Sequence, residues 1–308
     1  MSQMLLFPGQ GAQAVGMGRE LAEGLEECRA LFARASAVMG FDLLKLCVEG
    51  PLEELTKSCN TQPAIFVVSA AARAALAHFA GGTLSVAGAA GLSSGEWAAL
   101  HEAGVISFED TVRVLRARGQ FMQEACEAVS GGMLTIIGLT VDQVREVAAA
   151  SGLEVANLNS PVQTVLSGPA DRLAAGEAAA KAAGAKRALR LTVAGAFHSS
   201  LMRPAGDRLA DFLKDVEFRA PQYPVWSNVT GQPHAAPDEI RRLMVAQVVS
   251  SVRWTDCFAG MAAAGMTAGF ECGPGAVLAG LAKRIVPDAS VKSIFDLAGA
   301  QEAAKLSS

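Results

Sequence analysis

Residues 84–103 read LSVAGAAGLSSGEWAALHEA, and this stretch decides the fold. Its first part, 84–92, is a run of small and apolar residues that is typical of a strand buried on both faces. Residues 96–103 follow as a helical segment, and Ser93-Ser94-Gly95 lies between the two. A buried strand that turns directly into a helix is a basic unit of parallel α/β sheets, so we expect this stretch to belong to one.

Short apolar strands alternate with helical segments on both sides of this stretch. Further strands are predicted at 4–7, 224–227, 267–271 and 291–295, and long helices at 64–79 and 107–126. Such alternation predicts a largely parallel sheet with helices on its faces. Between residues 133 and 193 the order is instead βαββαβ, which is typical of a ferredoxin-like unit. We therefore expect an α/β fold with a discontinuous large domain, 1–127 and 198–308, and an inserted small subdomain, 128–197.

The composition excludes several classes of protein. The chain has 308 residues, of which 51% are hydrophobic, and this is enough for a packed core. Its net charge of −4 argues against a general nucleic-acid binder. No window holds 18 uninterrupted apolar residues, and the first residues lack the pattern of a signal peptide. The six cysteines form no C-x-x-C pair. We expect a soluble, cytoplasmic protein that binds no metal, cofactor, nucleic acid or membrane.

The segment Gly91-Leu92-Ser93-Ser94-Gly95 fits the pattern G-x-S-x-G of a nucleophile elbow. In such an elbow the serine stands on a tight strand-to-helix turn, and the flanking glycines allow the strained turn to pack. The helix N-terminus then favours a developing negative charge. A Gly-Ser turn without any chemistry would give the same pattern, so the motif needs support from other residues.

A nucleophilic serine needs a base, and the chain has four histidines from which to supply one. His78 lies near the end of an alanine-rich helix, His101 points away from the turn, and His234 lies in a loop. His198 lies at a strand-to-helix junction, which is where parallel sheets build their sites. We therefore predict that His198 is the base for Ser93.

Two further features surround this predicted pair. Arg118 falls in the middle of the apolar half of the helix at 107–126, where a guanidinium is costly to bury without a partner. An internal salt bridge or a snorkelling side chain is the simpler explanation, and a clamp for a substrate carboxylate is the functional one.

The glycine-rich loop at 8–13 lacks the residues of a P-loop. Its backbone N–H, together with that of Ser94, would form an oxyanion hole.

In this combination the sequence resembles the malonyl-CoA:acyl carrier protein transacylase family. The matching segments occur in order over about 270 residues. They are Phe7-Pro8-Gly9-Gln10-Gly11, Thr61-Gln62-Pro63-Ala64, Gly91-x-Ser93-x-Gly95-Glu96, Arg118-Gly119-x-x-Met122-Gln123, Ala156-Asn157-x-Asn159-Ser160-Pro161-x-Gln163, Phe197-His198, Ser227-Asn228, Val252-Arg253-Trp254 and Glu271-x-Gly273-Pro274-Gly275.

The resemblance implies a ping-pong reaction. Malonyl-CoA would acylate Ser93, CoA would leave, and the phosphopantetheine thiol of acyl carrier protein would take the malonyl group. His198 would carry the proton, and the amides of Gln10 and Ser94 would hold the oxyanion. A backbone carbonyl near Gln247 would orient His198. The family fold is a hydrolase-like α/β domain with a ferredoxin-like insertion, the family suggests a monomer, and no cofactor is implied.

The resemblance also implies a substrate pocket, in which Arg118 would bind the malonyl carboxylate. The other implied pocket residues are Gln62, Leu92, Met122, Asn159 and Phe197. Phe197 resembles the form that selects malonyl groups in related polyketide acyltransferases. Leu92 stands where the family usually has His, which removes a hydrogen-bonding group from the pocket. Ser94 and Trp97 replace the common Leu and Tyr.

Other functions remain open at this stage. A serine hydrolase or thioesterase would use the same elbow, and an acyltransferase could serve a polyketide or malonate-decarboxylase system. A non-catalytic docking module for carrier proteins is a third class, against which the joint presence of Ser93, His198 and Arg118 argues. An acidic carrier protein would need a local basic face. The candidates for that face are Lys186, Arg187 and Arg190, or Lys283 and Arg284.

Overall fold

The strands that the structure describes form two sheets. The computed structural model describes residues 3–82 and 84–306. The strands are β1 (Gln3–Phe7), β2 (Val86–Gly91), β3 (Gly131–Ile137), β4 (Glu154–Ser160), β5 (Gln163–Pro169), β6 (Arg187–Arg190), β7 (Val225–Trp226), β8 (Ala268–Cys272) and β9 (Ser290–Ile294). The helices are α1 (Arg19–Gly24), α2 (Glu26–Met39), α3 (Leu43–Glu49), α4 (Leu52–Thr56), α5 (Ser58–Phe79), α6 (Gly95–Glu102), α7 (Phe108–Ala128), α8 (Val141–Ser151), α9 (Leu173–Ala182), α10 (Arg203–Phe212), α11 (Pro237–Ala246), α12 (Trp254–Ala263), α13 (Val277–Ile285) and α14 (Leu297–Leu306). Within these ranges, no helix combines the length and apolarity that crossing a membrane requires.

The larger sheet is parallel throughout, in the order β7-β2-β1-β8-β9. Strand β1 lies in its middle, and every residue of β1 is buried. Leu5 and Phe7 belong to a core on one face of this sheet, whereas Met4 and Leu6 belong to a core on the other. Side chains alternate in this way when helices cover both faces of a strand. The predicted parallel α/β sheet is therefore confirmed.

The smaller sheet is antiparallel, in the order β4-β5-β3-β6. Helices α8 and α9 pack against each other and share a third core with this sheet. Thr140 and Gln143 form a reciprocal capping box at the start of α8, so the predicted helix begins where its cap indicates. The element order β3-α8-β4-β5-α9-β6 is that of the predicted ferredoxin-like unit. The domain boundaries after residues 127 and 197 stay a prediction.

One helix boundary differs from the sequence prediction in a way that affects the site. The helix predicted at 64–79 begins instead at Ser58 and runs through Pro63 as part of α5. Proline lacks an N–H, so the helix forgoes one hydrogen bond near its start, at the buried Pro63. The added turn places Gln62 within a helix that packs along α7, the helix that carries Arg118.

Candidate active site

Ser93 stands on a strained turn between β2 and α6. Its φ is +53°, in the left-handed region that non-glycine residues rarely adopt. A Cβ on Gly91 would lie 1.9 Å from the carbonyl oxygen of Gly95, and a Cβ on Gly95 would lie 2.2 Å from that of Phe7. Both glycines are therefore required by close backbone packing. This geometry is that of a nucleophile elbow and not of an ordinary Gly-Ser turn.

His198 lies directly opposite Ser93. The Oγ of Ser93 is 2.7 Å from Nε2 of His198, and Nδ1 of His198 donates to the backbone carbonyl of Gln247 over 2.9 Å. Since a carbonyl can only accept, Nδ1 carries the proton and Nε2 is free to accept from the serine hydroxyl. Among the described residues other than glycine, only Ser93 and His198 have a positive φ. Backbone strain of this kind concentrates at functional sites.

The environment of His198 keeps its imidazole neutral. Burial lowers the pKa of His198 to about 4, and the positive charge of Arg118 acts in the same direction. The hydrogen bond to the carbonyl of Gln247 opposes this shift only in part. At neutral pH the ring is therefore in the form that accepts a proton, as a general base must be.

The pH dependence of Ser93 acylation follows from this shift. A base with a pKa of about 4 stays neutral as the pH falls through 6.5, so we expect kcat/KM for acylation to hold until the pH approaches about 4 and then to fall. Initial rates from pH 8 down to below pH 4 measure this. Labelling of Ser93 by a neutral fluorophosphonate serves as the control, because the charge of that probe does not change. Loss of labelling centred near pH 6.5 would contradict the buried, neutral base.

Arg118 is buried beside the pair, with 1% of its surface exposed. Its Nη1 donates to Oε1 of Gln62 over 2.8 Å, and its Nη2 donates to Oε1 of Gln247 over 3.0 Å. Nη2 also lies 3.3 Å from the Oγ of Ser93, while Nε has no partner among the described residues. Burial lowers the pKa of Arg118 to about 10, so the guanidinium remains charged at neutral pH.

These contacts exclude the simpler explanations for Arg118 within the described part of the chain. The side chain is buried rather than snorkelling, and no carboxylate there lies at ion-pair distance from it. Close packing of α7 on α5 holds it in place, because a Cβ on Gly119 would lie 2.2 Å from the carbonyl oxygen of Ser58. The result is a cation that is fixed by neutral groups and placed next to the serine hydroxyl.

A cavity of about 890 Å³ opens over Ser93, which is large enough for an extended organic ligand. The predicted site residues that line it are Gln10, Leu92, Ser93, Arg118, Met122, Asn159, Phe197 and His198. The other three do not line it: Gln62 and Gln247 bind Arg118, and Ser94 is the N-cap residue of α6. The structure thus brings the predicted residues together around one cavity.

The loop after β1 packs directly against the elbow. A Cβ on Gly9 would lie 2.2 Å from the carbonyl oxygen of Leu92, so only glycine allows this approach. The side chain of Gln10 donates to Ser58 Oγ over 3.1 Å and accepts from Gln62 over 3.2 Å, which fixes the loop. The role of the Gln10 and Ser94 amides as an oxyanion hole stays a prediction.

Three residues to which the sequence prediction gives no role lie directly behind the elbow. Asn228 accepts from the backbone N–H of Ser93 over 2.7 Å and donates to the carbonyl of Gly91 over 2.8 Å, so it braces the turn. Glu96 and His234 are buried against each other, with His234 Nε2 2.7 Å from Glu96 Oε1. The sequence pattern places His234 in a loop and does not predict that it is buried. The sequence offers one signal for this pair: Glu96 is a carboxylate in the apolar, alanine-rich helix that follows the elbow, and a buried carboxylate needs a partner.

The chain is similar to known proteins over nearly its whole length. The family described as "Acyl transferase domain" matches residues 4–302. The malonyl CoA-acyl carrier protein transacylase of Escherichia coli (strain K12) is 44% identical over 285 residues, which cover 91% of this chain and 92% of that protein. An acyl carrier protein S-malonyltransferase from Vibrio cholerae superposes with a TM-score of 0.95 at 40% identity, covering 98% of this chain and 100% of that one. A malonyl-transacylase in complex with its type II polyketide synthase acyl carrier protein superposes with a TM-score of 0.94 at 39% identity, covering 99% and 100% of the two chains.

Proposed function

The chain belongs to the acyl transferase domain family, and we propose that it transfers the malonyl group of malonyl-CoA to the phosphopantetheine thiol of acyl carrier protein in fatty acid synthesis. The observation that carries this function is the position of Arg118, a buried cation beside Ser93 that neutral groups hold in place. A planar guanidinium suits a planar carboxylate, which accepts two parallel N–H groups from it. Malonyl groups carry such a carboxylate, whereas acetyl groups do not.

The first half-reaction loads the enzyme. The Oγ of Ser93 attacks the thioester carbonyl of malonyl-CoA while Nε2 of His198 takes the hydroxyl proton. The backbone N–H groups of Gln10 and Ser94 hold the developing oxyanion. The C–S bond then breaks, CoA sulfur receives the proton from His198, and an ester of malonate with Ser93 remains. The carbonyl of Gln247 stabilises the imidazolium that forms in between.

The second half-reaction repeats these steps with a different thiol. The phosphopantetheine sulfur gives its proton to Nε2 of His198 and attacks the ester carbonyl of malonyl-Ser93. The ester C–O bond breaks, the proton returns to Oγ, and malonyl-acyl carrier protein leaves. Because the serine and the histidine supply both nucleophile and base, we propose that the reaction needs no cofactor. As the family resemblance suggests, we propose that the protein is a monomer, and we propose the cytoplasm as its location.

A hydrolase for neutral acyl chains is less compatible with this site. Arg118 would place a buried charge against the alkyl chain of such a substrate, which is unfavourable. A docking module without chemistry would have no use for the strained backbones of Ser93 and His198. The polyketide alternative uses the same reaction, and the carrier protein that accepts the malonyl group distinguishes the two pathways.

The carrier protein must deliver its thiol into the cavity, so its docking face should adjoin the rim. Arg190 is paired with Glu177 over 2.8 Å, whereas Arg284 donates to Gln163, a residue that lines the cavity. Helix α13, which carries Lys283 and Arg284, also contributes Val277 to the rim, where it is 53% exposed. We therefore favour the Lys283 and Arg284 face as the contact for an acidic carrier protein.

Mass spectrometry of holo-acyl carrier protein incubated with enzyme and malonyl-CoA tests this function. We expect the carrier protein to gain the mass of one malonyl group, and the loaded enzyme to persist in water until a thiol acceptor is added. Absence of the added mass, or rapid hydrolysis of malonyl-Ser93 without acceptor, would favour a hydrolase. Parallel reactions with a fatty-acid and a polyketide carrier protein compare the two pathways, and faster transfer to the former is expected.

A further inference from the structure

A buried carboxylate lies directly behind the elbow and is not used in the steps above. Glu96 is fully buried in the first turn of α6. Its Oε1 faces Nε2 of His234, and its Oε2 accepts from the backbone N–H of Asn228 and from Nε2 of Gln247. Asn228 and Gln247 therefore both donate to this carboxylate, and His234 is placed to do the same. A carboxylate that is so completely satisfied is suited to orienting the groups that donate to it.

Glu96 is connected to Arg118 through the side-chain amide of Gln247, which binds both residues. The NH2 group of this amide donates to the carboxylate of Glu96. The same NH2 group also donates to the backbone carbonyl of Ser93 over 3.0 Å. The amide oxygen must then point the opposite way, and it accepts from Nη2 of Arg118. If the amide were reversed, its NH2 group would face the guanidinium and two donors would be opposed. The carboxylate of Glu96 thus ensures that the amide oxygen of Gln247, and not its NH2 group, faces Arg118.

Glu96 also compensates the charge of Arg118 without contacting it. Its negative charge raises the pKa of Arg118 and so opposes the effect of burial. A direct ion pair would occupy the N–H groups that a substrate carboxylate needs. Because Gln247 stands between them, the positive charge is supported, and no anionic side chain of the described residues contacts the face of the guanidinium toward Ser93.

His234 holds the carboxylate in this orientation. The side chains of both residues are at most 1% exposed. Nδ1 of His234 has no partner among the described residues, so a proton there would be buried without an acceptor. We therefore assign the proton of a neutral ring to Nε2, from which it is donated to Glu96. Together, these contacts form a relay from His234 through Glu96 and Gln247 to Arg118.

We propose that Glu96 is a positioning residue that, through Gln247, sets Arg118 for a carboxylated acyl group. The proposal rests on malonyl transfer as the function. It assigns Glu96 to the choice of acyl group and not to the chemistry of Ser93 and His198. Removal of its charge is therefore expected to affect malonyl groups and to spare acyl groups that lack a carboxylate.

The variant Glu96→Gln tests this by its effect on two substrates. We expect KM for malonyl-CoA loading to rise about tenfold or more, since a hydrogen bond to a charged group is weakened. Loading from acetyl-CoA should change less than about threefold. The matched control is Glu271→Gln, which neutralises another buried carboxylate that is bound to the backbone of α13 and does not touch Arg118. That variant should keep the malonyl-to-acetyl ratio of the unmodified enzyme.

Two further variants keep the proposal open to refutation. His234→Phe removes the donor to Glu96 and replaces it with a ring of similar volume. It serves as the test if Glu96→Gln does not fold, and it should likewise reduce malonyl loading more than acetyl loading. Gln247→Met removes the amide, so adding Glu96→Gln to it should cause no further loss of malonyl selectivity. Equal losses on both substrates, an unchanged ratio, or additive effects in the double variant would overturn the relay. If the unmodified enzyme fails to load malonyl at all, the proposed function itself fails instead.

Discussion

Replacement of Ser93 by alanine is expected to abolish malonyl transfer, with a loss of at least about a thousandfold in kcat. The Oγ of Ser93 is the atom that would bear the malonyl ester, and in the described part of the chain it is the only hydroxyl hydrogen-bonded to Nε2 of His198. The remaining groups would still bind malonyl-CoA, so KM should change little. Intact-protein mass spectrometry should show no malonyl adduct on the variant, and acyl carrier protein should gain no mass.

A second serine variant separates this effect from damage to the fold. Ser69→Ala removes another buried serine hydroxyl, on α5, which has no hydrogen-bond partner in the described part of the chain. It should retain transfer near the unmodified rate. Thermal unfolding of both variants checks that each is folded. Full transfer by Ser93→Ala would refute the covalent intermediate and, with it, the ping-pong reaction.

Replacement of Arg118 by alanine is expected to weaken malonyl transfer about a hundredfold or more while acetyl transfer falls far less. The guanidinium would make charge-assisted hydrogen bonds with the malonyl carboxylate only, and loss of such a pair accounts for this range. Arg118→Lys should recover little, because an ammonium lacks the planar fork that Gln62 and Gln247 hold. Steady-state loading from malonyl-CoA and acetyl-CoA measures both effects.

The control for this prediction lies on the same helix. Arg113 on α7 is about 60% exposed and pairs with Asp110, so Arg113→Ala removes a guanidinium of α7 without reaching the cavity. Exposed pairs of this kind contribute little to stability, and both activities should stay near those of the unmodified enzyme. Equal losses on malonyl and acetyl groups in Arg118→Ala would show that Arg118 supports the fold of the site and does not select its substrate.

Much of the site could be predicted because its signals are local. The elbow needs glycines on both sides of Ser93 and a strand and helix around it, and these occupy consecutive positions. Arg118 was found by its place on an apolar helix face. The pairing of Glu96 with His234 could not be predicted, because the two residues are 138 positions apart and the local sequence around one gives no indication of the other. The predicted helix begins at residue 64, directly after Pro63, whereas α5 begins at Ser58 and includes that proline.

The amino-acid sequence by itself determined the order of strands and helices, the parallel sheet, the elbow at Ser93 and the short set of candidate partners. These depend on side-chain periodicity and on turn geometry, which act between neighbours in the chain. Only the tertiary structure decided that Nε2 of His198 lies 2.7 Å from the Oγ of Ser93 across 105 residues, and that the side-chain amides of Gln62 and Gln247 bind Arg118. Such contacts depend on how whole elements pack, because burial and hydrogen bonding between distant segments are set by the completed core.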